Sequence, residues 1–459
     1  MSSKISLHPT NTMPCLDSSL EVRAMTVPYI PNTEQHRESM LRTIGVNSED
    51  DLFQDIPSRY RNPLMNLPDP ISELELLQEL QDIARTNVSP TSGSFIGVGA
   101  YRHFIPSVVG YLASRGEFAT SYTPYQPEVS QGTLQATYEF QSMVAELLGM
   151  DVANAGMYDG ASSLAEAALM SCRVTGLGRV AVLETVSPFY LDVLNTYAAH
   201  QGIEVYRVDP KSARLKPDTA SLVIQHPNFY GYLEDLAYLR KTSNEAKALM
   251  IVSTDPIAMG MFKSPGEYGA DISSAEGQPL GTPLNFGGPY VGLFACKEEF
   301  LRNIPGRIVG RTVDNIGRSG FVLTLQTREQ HIRRERATSN ICTSEALIAL
   351  RATIYVATMG KWGLRRVAEL CYHKAHYVAS LIANIPGYSI ALSGTFFQEF
   401  VVKCPISPTE INRALLDKGI VGGLDISSHI PNAMLLCVTE MNTRKEIDNL
   451  QYALKALQT

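Results

Sequence analysis

An apolar run, Ala248-Leu-Met-Ile-Val-Ser-Thr254, closes on Asp255-Pro256 and leads into a Gly-rich stretch. A carboxylate at the end of a strand can keep a pyridine nitrogen protonated and make the ring an electron sink, so this arrangement suits pyridoxal phosphate chemistry. The phosphate of such a cofactor needs backbone N–H groups at a helix start. Asp159-Gly-Ala-Ser-Ser163, opening Leu164-Ala-Glu-Ala-Ala-Leu169, offers them, with Ser162 and Ser163 as candidate contacts. Both patterns have plainer readings: Asp-Pro is a routine exit from a sheet, and Asp or Ser at a helix start is an ordinary cap. The amine has no substitute. An enzyme of this kind holds its aldehyde cofactor as a Schiff base to lysine, and the chain has neither Lys nor Arg between Lys263 and Lys297.

The elements that must position these residues alternate. From about residue 91 to 330, β-rich runs (Val180–Leu183, Glu204–Val208, Leu222–Ile224, Leu249–Val252, Tyr290–Ala295) are interleaved with helical patterns, which predicts crossover units and a largely parallel sheet covered by helices. Helical periodicity returns over Trp362–Ile385, followed by strands at Tyr388–Leu392 and Phe397–Val402. Two further helices start at Ser407-Pro-Thr-Glu410 and Thr443-Arg-Lys-Glu446, the first stopped by Gly419. At 459 residues with 44% hydrophobic content the chain is long enough for two domains and an extension. The expected divisions are a disordered tail at 1–27, an N-terminal helical arm at 28–90, a large α/β domain at 91–360 and a small α+β domain at 361–459.

A formal charge of −7 and a pI near 5.8 argue against general affinity for nucleic acid phosphates or anionic membranes. Seven cysteines without a CxxC pair fit isolated buried thiols in a reducing compartment better than a disulfide framework or a zinc site. His373 and His376, three apart, lack an evident acidic or thiol partner and read as helix surface, so no metal is expected. No apolar stretch approaches the roughly 18–20 residues of a spanning helix, and residues 1–25 lack a secretory core. A soluble cytoplasmic protein is expected.

Five unusual segments, in order, carry a family resemblance: Phe95-Ile-Gly-Val-Gly-Ala-Tyr-Arg-His103, Tyr122-Thr-Pro-Tyr-Gln-Pro-Glu-Val-Ser-Gln-Gly-Thr133, Asn285-Phe-Gly-Gly-Pro289, Pro305-Gly-Arg-Ile-Val309, and Gln326 through Thr343. From Pro28 on, the chain resembles the P-protein of the glycine cleavage system, in the branch where that protein is split into two chains, and within that branch the alpha subunit. The resemblance implies a type I pyridoxal-phosphate-enzyme (aminotransferase-like) fold. It implies glycine decarboxylation, with the aminomethyl group passed to the lipoyl group of an H-protein, alongside the T- and L-proteins. Against lysine-bearing family sequences the lysine position falls near Gln278 and Pro279, and neither residue can form an imine. The cofactor is therefore expected on a homologous beta subunit, with none held covalently here and Ser162, Ser163 and Asp255 left as vestiges.

The resemblance further implies that Tyr101 and Tyr122 lie in loops lent to the shared active site, although a tyrosine in a Gly/Pro-rich loop is also ordinary packing. Arg328, Arg333 and Arg334 are candidate contacts for the partner chain or the acidic lipoyl carrier, since arginine suits bidentate pairing. Glu329 and Glu335 within the cluster allow self-pairing instead. Two alternatives stay open: a self-sufficient pyridoxal enzyme recruiting Lys263 or Lys297, and a scaffold that only stabilises its partner.

Overall fold

The computed structural model describes residues 32–457 except 62, 88 and 343. The expected tail at 1–27 and Cys15 lie outside the described residues. The chain divides into two compact units, the first closing at Asn87 and the second spanning Val88–Thr459. In the first, Glu34–Ile44 is capped by Thr33 and Glu73–Arg85 by Ser72, the latter through the capping box its spacing predicts, and no residue of either helix is buried.

The second unit is built on a seven-stranded sheet. Its strands are Val152–Ala153 (β1), Arg179–Leu183 (β2), Glu204–Val208 (β3), Thr219–His226 (β4), Leu249–Thr254 (β5), Ile272–Glu276 (β6) and Gly292–Cys296 (β7), in the order β1-β7-β6-β5-β4-β2-β3. The pairs from β6 through β5, β4 and β2 to β3 are parallel, and β7 and β1 close the sheet antiparallel. Val180, Leu222, Val223, Ile224, Met250, Ile251 and Val252 are fully buried. Such strands read as continuous apolar runs, because helices cover both faces of a parallel sheet. The helix Gly160–Thr175 shows the same logic: Leu164, Ala165, Ala167, Ala168 and Met170 all enter this core, and Gly176 ends it at φ 71°.

A hairpin, Ile308–Val313 (β8) with Ser319–Thr324 (β9), follows the sheet. The sequence pattern did not point to it, because most of its side chains are exposed or half-buried. The long helical run begins at Ala346, earlier than its periodicity suggests, and continues to Ala383 through a break at Gly360, whose φ of 58° and ψ of −176° only glycine adopts readily. Its first part is almost wholly apolar and so lacks the stripe that marks a surface helix.

A second sheet holds Ser389–Ile390 (β10), Glu399–Lys403 (β11), Leu424–Asp425 (β12) and Ala433–Cys437 (β13), all antiparallel in the order β10-β11-β13-β12. The expected strand at 388–392 shrinks to the two residues of an edge. Helices Pro408–Leu416 and Arg444–Ala456 form where their caps predict. Within the second unit we propose a large half, 91–360, and a small half, 361–459, divided at the Gly360 break.

Candidate functional site

The carboxyl ends of parallel strands form the crevice where open α/β sheets bind ligands. Asp255 follows β5 and Glu276 ends β6, while the helix Gly160–Thr175 points its N-terminus at the same place, since Glu276 accepts a hydrogen bond from Gly160 N at 2.9 Å. Tyr101 arrives from the loop before residue 107, and Gln398 and Glu399 from the start of β11. A cavity of only about 30 Å³ remains between them, lined also by Tyr190, Gln225, Asn228 and Pro279. Ligand pockets run to roughly 300–1,000 Å³, so this crevice is filled.

Its own side chains fill it. Glu276 Oε1 accepts from Gln278 N at 2.9 Å, so both carboxyl oxygens serve backbone amides. Tyr190 reaches the helix start so closely that a Cβ on Gly160 would meet its phenol oxygen at 2.6 Å. Asp255 accepts from Gln398 Nε2 at 2.7 Å and from Ile257 N at 2.8 Å. Gln278, only 1% exposed, donates from Nε2 to Tyr101 O at 2.9 Å and Thr282 O at 2.7 Å, and accepts from Tyr101 N at 2.8 Å. The phenol of Tyr101 donates to Glu399 Oε2 at 2.8 Å.

The electrostatics are those of a dry acidic cleft. Burial pushes the carboxyl of Glu276 up to about 8 against the pull of the Gly160 and Gln278 amides, and that of Glu399 up to about 7. Asp255 is raised by burial as well, partly offset by His103, and the Tyr101 phenol is driven well above its ordinary value by burial and then by Glu399. None of the residues lining the cavity carries a positive charge.

These residues do not fit pyridoxal phosphate. The helix N-terminus that would hold a phosphate is taken by Glu276, the carboxylate that would face a ring nitrogen is taken by Gln398, and the amine is missing. Ser162 is turned to its own cap, exchanging hydrogen bonds with Asp159 at 2.7 and 3.1 Å, and Ser163 donates to Leu293 O at 2.6 Å. The plain reading of that motif, a capped helix, is what forms. Lys297 pairs with Asp271, and the amine of Lys263 lies 5.9 Å from the ring of Tyr268. Neither lines the cavity.

The other sequence candidates scatter. Tyr101 turns its phenol inward to Glu399, whereas Tyr122 is 77% exposed on a separate groove of about 530 Å³ lined by Phe140, Pro289, Val309, Leu323 and Leu347. Arg328 departs from the reading as a partner contact: it donates to the carbonyls of Ile304, Gly306 and Leu325, holding its own loop together. Arg333 donates to Thr327 O at 3.0 Å while remaining exposed. Arg334, at φ 52°, borders an open basin with Tyr125, Arg307, His331 and Cys342. His376 is not helix surface, since it stacks on Phe396 with ring centroids 3.9 Å apart. Cys342 is exposed, unlike the buried Cys296, Cys371, Cys404 and Cys437.

Sequence reasoning missed Glu276, Tyr190, Gln398 and Glu399. Glu399 meets Tyr101 across 298 positions, and no local spacing signals such a contact. The same holds for His103, Cys371 and Glu440, whose ligand-type atoms lie within 4.8 Å of one another. They bond to one another, through His103 Nδ1 to Glu440 Oε2 at 2.7 Å and Cys371 Sγ to the same oxygen at 3.4 Å, while His103 Nε2 is buried with no partner among the described residues.

A mostly parallel sheet with a ligand crevice at its carboxyl ends and an antiparallel second sheet is the fold of the type I pyridoxal-phosphate-dependent enzymes. At the level of fold it is shared with a sphingosine-1-phosphate lyase of Burkholderia pseudomallei, at a TM-score of 0.62 and 16% identity over 87% of this chain and 94% of that one. Residues 27–454 match the pattern of the family described as glycine cleavage system P-protein, and the chain belongs to that family. It is similar to a protein named glycine dehydrogenase (decarboxylating) subunit 1 of Thermomicrobium roseum, 50% identical over 93% of this chain and 99% of the relative. A crystal structure of the P-protein glycine decarboxylase in inhibitor-bound form superposes with a TM-score of 0.89 at 42% identity, covering 94% of this chain and 99% of that one. The function is that of an alpha subunit of the glycine cleavage P-protein, within an oxidoreductase that decarboxylates glycine. No helix among the described residues is long and apolar enough to cross a membrane.

Proposed function

We propose that this chain is the half of a two-chain glycine decarboxylase that carries no Schiff base, and that it works in the cytoplasm only when joined to a homologous lysine-bearing beta subunit. The observation that carries the reading is the filled crevice: Gln278 stands near the lysine position with its amide fully engaged, and Glu276 covers the helix N-terminus. Pyridoxal phosphate then belongs to the partner. This chain completes the shared active site, where glycine loses carbon dioxide and the aminomethyl group passes to the lipoyl group of the H-protein. The T- and L-proteins act on the loaded carrier.

Tyr122 is the aromatic we assign to the partner's side, because it stands exposed on an apolar groove. Arg333 and Arg334 remain candidates for partner or carrier contact, both being exposed. The test is reconstitution: glycine-dependent exchange of carbon dioxide, measured with lipoylated carrier, is expected from the mixed chains and from neither alone. Exchange by this chain alone contradicts the proposal.

A further inference from the structure

The segment 97–104 is held far more tightly than a loop requires. Val98 sits at φ 65°, a left-handed conformation that a β-branched residue adopts only where its surroundings over-determine it. Its N–H is accepted by Glu399 Oε1 at 2.7 Å. A Cβ on Gly97 would meet Glu399 Oε1 and Cys437 Cβ at 2.7 Å each, so this backbone runs flush against the body of the protein. Tyr101 is bound through both its N–H and its carbonyl to the single amide of Gln278. Arg102 O accepts from Thr439 Oγ1 at 2.7 Å, His103 is paired to Glu440, and Phe104 N donates to Glu440 Oε1 at 2.6 Å. Five of the eight residues are thus fixed by side chains remote in sequence. Strain that persists in this way marks segments whose exact placement is used.

We propose that Gln278 is a positioning residue for the glycine reaction: standing near the vacated lysine position, it uses the disused cofactor crevice as a brace that sets segment 97–104, with Tyr101, for the partner's active site. The inference rests on the reading of this chain as the half without a Schiff base. Chemistry favours an amide at this place. Only Asn or Gln combines an acceptor for Tyr101 N with donors for Tyr101 O and Thr282 O, and a lysine offers donors alone. The crevice walls supply the remaining rigidity, since Glu276 caps the neighbouring helix and also accepts from Gln278 N.

The test uses the assembled two-chain enzyme with Gln278→Met, which keeps the volume and removes the hydrogen bonds, and with Gln278→Glu, whose buried carboxyl, protonated, keeps the acceptor and one of the two donors. Hydrogen exchange of the amides in 97–104 is expected to quicken in both, and kcat for glycine-dependent exchange to fall about tenfold to a hundredfold in Gln278→Met. Gln278→Glu is expected to fall between that variant and wild type, with the chains still co-eluting and the KM for glycine little changed. A Gln278→Met enzyme that assembles and keeps kcat within about twofold, or unchanged exchange in 97–104, overturns the proposal. Should Gln278→Met fail to fold, the same two readings on Gln278→Glu decide. An inactive wild-type pair overturns the underlying functional reading instead, and the hydrogen-exchange measurement still reports on the brace.

Discussion

Glu276 gives this chain a pH signature of its own. In the folded protein its carboxyl holds a proton up to about 8, and Glu399 holds one up to about 7, whereas an unfolded chain releases both near the ordinary glutamate value of about 4.3. Between those limits the folded state binds more protons at these two sites, so the stability they contribute is full below about 4.3 and is lost as pH rises toward 8. Buried His226, held down at about 4, acts in the opposite sense only up to its ordinary value of about 6.5, so the urea midpoint of the isolated chain is expected to fall between about pH 6.5 and 8.5, by an amount on the order of 1–2 kcal/mol in stability. Glu276→Gln should flatten much of that slope, and a slope unchanged in the variant contradicts the assignment. The two tyrosines should separate equally cleanly. Tyr101→Phe removes the hydroxyl that donates to Glu399 and is expected to lower stability by about 1–3 kcal/mol in denaturation. Tyr122→Ala, at an exposed site on the apolar groove, is expected to reduce turnover of the assembled enzyme while the two chains still co-elute. At this scale the sequence disclosed Asp255, the missing lysine and the cap at Asp159. It could not disclose that Gln398 engages Asp255 or that Glu276 covers the start of the helix at Gly160, since each depends on residues brought together only by the closed fold.

The helix Gly160–Thr175 and strand β6 meet almost backbone to backbone, and the smallest residue marks the contact. An alanine at Gly160 would place its Cβ 2.6 Å from the Tyr190 oxygen and 2.9 Å from both Glu276 Cβ and Glu276 N. Alanine is the better helix former, so propensity alone predicts a gain. The close approach reverses the sign, and Gly160→Ala is expected to lose about 1–3 kcal/mol by overpacking, read as a lower melting temperature. A variant as stable as wild type shows that the helix start has room to spare. The elements themselves were largely legible. Strands β2, β4, β5 and β7 announce themselves as short apolar runs, because both their faces are covered, β3 shows as an alternating run, and the C-terminal helices announce themselves by their caps. Strand β6, Ile272-Ser-Ser-Ala-Glu276, is buried but too polar to read as a strand. The hairpin β8–β9 and the early part of the helix Ala346–Ala383 were not legible. The first is half-solvated without clean alternation, and the second is almost wholly apolar, with Arg351 its only charge before Gly360, so neither shows the period that reveals its class.

For the molecule as a whole, the fold is that of the type I pyridoxal-phosphate-dependent enzymes, and the crevice at its strand ends is filled by the chain's own side chains, with about 30 Å³ remaining. The acidic balance of −7 leaves the arginines of 328–336 as local features rather than part of a basic surface, and Arg328 is spent inside the chain. On the function proposed above, what this chain contributes is shape: a braced loop, an exposed tyrosine and a groove. On the function proposed, this chain never tethers the aldehyde itself. The most direct measurement is borohydride reduction of the assembled two-chain enzyme loaded with pyridoxal phosphate, followed by intact mass of each chain. A phosphopyridoxyl adduct is expected on the partner and an unmodified mass for this chain, even with Gln278→Lys, since the crevice has no room. An adduct on this chain at Lys263, Lys297 or the introduced lysine contradicts it.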